Sequence, residues 1–190
     1  MWFSSKGLRK PRRIRHKGRR LDEILEAHER FFRCAPGGVR ADLSGADLSR
    51  ADFQGVNLTD ATLAGANLEG ADLRRAKLTR VDLTRANLRR ADLRNTDMTE
   101  AVLPGADLTE AQASGVEFFR CDLSDAIFDR ANLRAANFRG ANIRGARFAG
   151  ADMNVAILRE TALDGADLSG VDLSTTLMPR DSTPSLQEEK

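Results

Sequence analysis

Two histidines, His16 and His28, and two cysteines, Cys34 and Cys121, make up the whole supply of imidazole and thiol in this chain. Scattered at those intervals, with His16 inside a run of basic residues, they match no zinc-ligand spacing and build no metal cage. No serine, histidine and aspartate grouping suggests a nucleophile, and the glycines follow a five-residue beat rather than a phosphate-cradling loop. The expectation is therefore no catalytic residue, no metal and no cofactor, and a protein that is not an enzyme. The charged residues carry more meaning. Asp52, Asp72 and Asp92 recur at intervals of twenty, flanked by Arg50, Arg90 and Arg130 on one side and Arg74, Arg94 and Arg134 on the other, with Arg75 and Arg89 adding to the cluster. Guanidinium planes suit carboxylate or phosphate recognition, so these eight arginines are a candidate partner face, against the alternative of a solvated, mutually neutralised lattice. Lys6, Arg9, Lys10, Arg12, Arg13, Arg15, Lys17, Arg19 and Arg20 form a second cluster with no acid among them. Such a run binds polyanions without reading sequence. Trp2 and Phe3 offer an anionic membrane as another anchor for it.

The elements that position these groups follow from composition and spacing. Aromatics are only 5% of the 190 residues and tyrosine is absent, so a conventional globular core is short of large side chains. Residues 1–40 hold 12 Lys/Arg against 4 Asp/Glu, a net of +8, whereas residues 41–180 hold 17 against 21, a net of −4. The basic pI thus belongs to the leader and not to the body. Two cysteines make no disulfide framework, no apolar run reaches membrane-spanning length, and no apolar stretch follows the paired arginines at the start. A cytoplasmic protein with free thiols is expected.

The body repeats every five residues. Beginning with "ADLSGADLSRADFQG" at residue 41, the centres run Leu43, Leu48, Phe53, Leu58 and onward to Met178 without insertion or deletion. Of 28 centres, 27 are large and apolar, Ala113 being the exception. Two residues earlier stands a small residue, usually alanine, and between them usually Asp or Asn. Eleven of the fifteen glycines fall at the last position of a pentad, where a tight turn suits them. A helix would scatter a period of five around its circumference, and a flat sheet wants a period of two. A chain that turns after each short run, with one large and one small residue pointing inward per run, satisfies the pattern as a stacked solenoid.

The tandem A(D/N)LXX pattern of residues 41–180 resembles the pentapeptide-repeat family. That resemblance implies an all-β solenoid, a right-handed quadrilateral β-helix. Four sides make twenty residues per coil, about seven coils, and a body roughly 30–35 Å long at the strand spacing of ~4.8 Å. Residues twenty apart then stack: Phe118 with Phe138, and Phe128 with Phe148 on the opposite side. Ala113 compensates the volume of Phe118, and Cys121 takes an inward position as a buried, inert thiol.

A stacked coil exposes its core at both ends. The chain is read as a basic disordered arm (1–20), an amphipathic capping helix (21–35), the β-helix (39–180) and a disordered tail (181–190). In the helix Leu21, Ile24, Leu25, His28, Phe31 and Phe32 recur at helical spacing, with Asp22 as N-cap and Pro36-Gly37-Gly38 as terminator. At the other end Ile157 and Leu177 occupy an outward, normally polar position. With Leu173 and Met178 they form a candidate self-association end that would make a homodimer through the C-terminal coil. A tail folding back through Leu186 is the competing cover.

Function is read mainly as a rigid protein-interaction scaffold whose protein partner the residues do not identify. The resemblance adds a second class, since some fluoroquinolone-resistance members mimic DNA and bind DNA gyrase. This chain departs from those members in its mixed charge and its loop-free frame, so gyrase is the weaker expectation. Nucleic acid or anionic membrane binding through the arm is a third.

Overall fold

The computed structural model describes residues 7–179. The repeats form a solenoid. Successive pentads from Asp42 to Ile157, Asp152 excepted, contribute one single-residue parallel bridge from their second position to the residue twenty further on, as in Asp42↔Thr62, Asn67↔Asn87 and Ile157↔Leu177. Four pentads therefore complete one turn, and the four faces carry residues 41–45, 46–50, 51–55 and 56–60 with their equivalents at steps of twenty. Backbone hydrogen bonds run in the same register: Leu63 N–H donates to the Asp82 carbonyl at 2.7 Å, and Asp82 N–H donates to the Ala61 carbonyl at 3.0 Å.

Each pentad position has a physical task. The central side chains from Leu43 to Leu158 are at most 1% exposed and fill the interior. The residue two before each centre must be small because it shares that interior. When it is polar it donates to a carbonyl: Thr96 to Leu73 at 2.8 Å, Thr161 to Phe138 at 2.6 Å, and Cys121 Sγ to Met98. The preference for Asp or Asn at the second position comes from an Asx turn. Its Oδ1 accepts the N–H two residues on, as in Asp42 to Ser44 at 3.1 Å and Asn57 to Thr59 at 3.0 Å. The aromatic layers stack as expected. Phe118 and Phe138 have centroids 5.0 Å apart, Phe128 and Phe148 4.9 Å, and Phe128 meets Phe138 edge-on at 6.0 Å.

The glycine pattern told only part of the turn story. Every last position from Gly45 to Gly170 has positive φ, and most of those pentads end in a side-chain-bearing residue. Val155 is the extreme instance, a β-branched residue at φ 54 and 51% exposed. Asn95 holds φ 57 in the same column. Val155→Asn relieves the strain while leaving in place the backbone N–H that donates to Thr175 Oγ1. It should raise stability by about 1 kcal/mol, read as a higher urea midpoint.

The leader departs from expectation. Residues 7–20 are folded against the solenoid, not a disordered arm. A turn of 3-10 helix spans Pro11–Arg13, and a two-residue hairpin pairs β1 (Arg15–His16) with β2 (Arg19–Arg20). Ile14 is fully buried in the same core cluster as Leu43 and Leu48. Arg9 bridges Ala51, its N–H donating to the Arg50 carbonyl at 2.7 Å while its carbonyl accepts from Asp52 N–H at 3.1 Å. The segment supplies the strand that the third face lacks at its first coil. Charge pattern alone hid this, because one buried isoleucine and backbone pairing do the ordering.

Helix α1 spans Leu21–Phe32, three residues shorter than expected at its C-terminal end. Arg20, not Asp22, stands at the N-cap; Glu23 accepts the Arg20 N–H at 3.1 Å, and Asp22 accepts the Glu23 N–H at 3.0 Å. Leu21 and Ile24 join the common core, Leu25 packs at its edge, and Phe31 turns outward at 42% exposure. Gly38 lies so close to the helix that a Cβ there would come within 2.6 Å of Phe31 Cα, which explains the glycine at that step.

His28 is fully buried and locks helix to coil, its Nδ1 accepting the Ala41 N–H at 3.0 Å. That bond requires the neutral ring with its proton on Nε2. Burial above all lowers its pKa below the ordinary 6.5, against upward pulls from the Thr59 carbonyl, Asp60 and Glu29, with Arg40 adding to the lowering. The unfolded chain thus takes up the proton first as pH falls. The stability due to the neutral ring is complete above 6.5 and is lost as pH falls through the lowered folded value. Urea midpoints should drop as pH falls through 6.5 toward the lowered folded value, and His28→Gln should abolish most of that drop.

Candidate functional site

The charged faces and the two ends are where chemistry with a partner is available. Among the described residues no group of three or more His, Cys, Asp or Glu converges as a metal site. Cys34 is an exposed free thiol and Cys121 a buried one, whose thiol burial pushes up to about 12.

The arginine cluster is brought together, yet most of it is already paired. Arg89 reaches Asp107 at 3.0 Å, Arg134 reaches Asp152 at 3.3 Å, and Glu110 bridges Arg90 and Arg130 at 2.8 and 3.1 Å. Arg50 runs across Gly70 and reaches Gly7. The lattice is not uniformly solvated, however. The Asp72 and Asp92 side chains are 4% and 0% exposed, a correction to the reading of that column as a washed surface. Each is clasped by the arginine two residues on. Arg74 Nε and Nη2 lie 2.9 and 2.6 Å from Asp72, and Arg94 Nε and Nη2 lie 2.9 and 2.7 Å from Asp92. Arg74 Nε also stands 3.5 Å from Asp92, tying neighbouring coils together. Burial pushes the Asp72 carboxyl up, but its hydrogen bonds from Arg74 and the nearby Arg94 charge leave it below the ordinary carboxylate range. The second-position aspartates would repel one another as bare charges; the interleaved guanidiniums remove that penalty. Nothing in the spacing distinguished these buried carboxylates from exposed ones. The clue was the arginine two residues after each.

In the leader, Arg9 pairs with Asp47 at 3.0 Å, Lys17 with Asp42 at 2.6 Å and Lys10 with Asp52, while Arg20 pairs with Asp22 and Glu23. Arg9, Lys10 and Lys17 thus hold the leader to the solenoid, while Arg20 ties it to the first turn of α1. Arg12, Arg13, Arg15 and Arg19 are exposed, with no carboxylate within ion-pair distance among the described residues. Trp2, Phe3 and Lys6 lie outside the described residues.

At the far end Ile157 bridges Leu177, which is 45% exposed, and Leu163, Leu168, Leu173 and Met178 are only partly buried. The tail 181–190, including Leu186, lies outside the described residues.

This geometry, a twenty-residue ladder with an alanine, an Asx turn and a buried leucine per pentad, coincides with a family model. Pentapeptide repeats, eight copies, match residues 41–80, 76–118, 117–154 and 136–174. The chain is a pentapeptide-repeat protein. Among solved structures it resembles QnrB1, a plasmid-mediated fluoroquinolone resistance protein, in a trypsin-treated variant form. The two share 22% identity over 73% of this chain and 70% of that one, with a TM-score of 0.69, a likeness of fold. HetL, involved in heterocyst differentiation regulation in Nostoc sp. strain PCC 7120, is 28% identical over 75% of this chain and 87% of its own, with a TM-score of 0.38. Rfr23 from Cyanothece 51142 is 32% identical over 62% and 90%, with a TM-score of 0.34. No curated protein sequence matches. The family's repeat explains the interior completely and leaves every distinctive residue of this pentapeptide-repeat protein on its faces and ends.

Proposed function

We propose that this pentapeptide-repeat protein is a non-enzymatic scaffold, a stiff right-handed, four-sided rod of about seven coils capped at its N-terminal end by the leader and helix α1, which presents its faces to a protein partner. The observation that carries this reading is the filled interior: the central side chains from Leu43 to Leu158 are at most 1% exposed, so chemistry with another molecule happens on faces. The free thiols and the sealed Cys121 are in keeping with a reducing cytoplasm. Co-purification of the tagged full chain from its native cell tests the proposal. A stoichiometric protein partner is expected, and a chain that consistently emerges alone would contradict it.

Two subsidiary readings rest on particular residues. The partly buried last coil, with Leu177 exposed, supports self-association into a homodimer, for which light scattering should report twice the chain mass. Arg12, Arg13, Arg15 and Arg19 support polyanion binding at the cap, nucleic acid before membrane, read as heparin retention lost on fourfold replacement by glutamine. The fold shared with QnrB1 keeps gyrase modulation as the alternative, but the arginine-paired faces and the net −4 of residues 41–180 make a poor DNA mimic. A supercoiling assay is expected to show neither inhibition nor protection.

A further inference from the structure

We propose that the pocket on the third face lined by Gln54, Arg74, Arg75, Arg94 and Asn95 is a docking site for an acidic side chain of a protein partner, an inference that rests on the scaffold reading and names the chemistry that scaffold recognises. The pocket has a volume of about 200 Å³.

The argument begins with what the fold does not need. At the second position of this face, Asn132 accepts the Arg134 N–H at 3.2 Å, the same Asx bond that Asp72 and Asp92 accept from Arg74 and Arg94 at 3.2 and 3.3 Å. A neutral amide therefore suffices for the turn, and burying two carboxylates twenty residues apart adds a desolvation penalty that asparagine would avoid. What the carboxylates secure is the placement of two guanidiniums. Both pairs are bidentate through Nε and Nη2, so the Nη1 group of Arg74 takes no part in its pair. Arg75 completes the site. Its backbone is fixed at φ 57 with its N–H on the Arg94 carbonyl at 3.2 Å, and its exposed side chain has no carboxylate within ion-pair distance among the described residues.

Charge decides the ligand class. Asp52, next in the column, is neutralised by Lys10, so three guanidiniums against Asp72 and Asp92 leave one net positive charge, enough for a single anionic group, with the Gln54 and Asn95 amides beside it. The neighbouring faces carry acids, Glu69 on the preceding one and Asp97 and Glu100 on the following one. A nucleic-acid backbone, with a charge every ~1.7 Å of duplex axis, would be pressed against those acids. An isolated glutamate or aspartate on a partner surface would not, and it matches the planar fork of arginine.

The test uses the full chain with acetyl-Gly-Glu-Gly-amide as probe, followed through the arginine side-chain N–H resonances. A saturable shift of Arg74, Arg75 and Arg94 is expected, at least about tenfold tighter than with the glutamine peptide. Arg75→Gln should weaken it by a similar factor while the backbone spectrum stays in place; Arg139→Gln, which touches a distant pair with Glu160, should not. Equal response to the two peptides, or indifference to Arg75→Gln, overturns the site, and preferential shifts with a short single-stranded DNA would overturn the choice of ligand. A native partner retained equally by wild type and Arg75→Gln also overturns the site while leaving the scaffold intact. Absence of any partner strikes the scaffold alone, since the peptide response stands by itself.

Discussion

Phe138→Ala is expected to lower stability by about 3–5 kcal/mol, the largest effect of any single truncation in the body. Phe138 is fully buried, stacked on Phe118 at 5.0 Å and 21°, and edge-on to Phe128 at 6.0 Å and Phe148 at 5.9 Å. Its loss opens a void in the middle of an aromatic quartet, and the backbone cannot collapse to fill it because each residue is held by ladder bonds to the coils on either side. Leu83→Ala, in an aliphatic layer, should cost about 2–5 kcal/mol. Phe31→Ala, with its ring 42% exposed on α1, should cost much less. Because each coil touches only its neighbours, the damage should be graded along the rod. Hydrogen exchange is expected to quicken most in residues 138–177 and least near Leu43, beside a lowered urea midpoint.

Arg94→Ala should cost about 2–3 kcal/mol, an unusual value for an arginine on a solenoid face. The reason is what it leaves behind: Asp92, 0% exposed, would lose both of its short hydrogen bonds and keep the backbone N–H of residue 94 at 3.3 Å and Arg74 at 3.5 Å. A buried carboxylate stripped of its partner typically costs about 3–5 kcal/mol; the half-exposed guanidinium and the residual Arg74 contact bring the figure down. Asp92→Asn in the Arg94→Ala background should recover most of the loss, since Asn132 shows that the amide serves this column. Arg80→Ala, which breaks an exposed pair with Asp60, should be close to neutral. Urea denaturation of the three variants separates a buried anchor from surface decoration.

How much of this was legible in the residues depends on whether a feature repeats. The interior was readable because a period of five, sustained over 28 pentads, points leucine and alanine inward in a turning chain, and the family resemblance implied its four sides. With four sides accepted from that resemblance, the stacking of Phe118 on Phe138 and the sealed Cys121 followed from register. Features that occur once were not readable. Ile14 stands alone within a run of cations, and only the pairing of the leader with the first coil gives it a place to be buried. Asp72 and Asp92 looked like Asp42, because burial there is decided by a guanidinium folding back over the column. Likewise, glycine spacing marked the turns at Gly45 or Gly115 but missed those at Val155 or Arg75, where the ladder imposes the left-handed conformation on residues that resist it.

The most direct test of the account is a set of backbone contacts in solution. Nuclear Overhauser effects should pair residue n with residue n+20 along the body, and hydrogen-bond couplings should follow that register, with Leu63 N–H coupled to the Asp82 carbonyl and Leu83 N–H to that of Val102. Helical (i, i+3) contacts within the repeats, or pairing at any interval other than twenty, would contradict a shared interior and with it the placement of every functional residue on the faces.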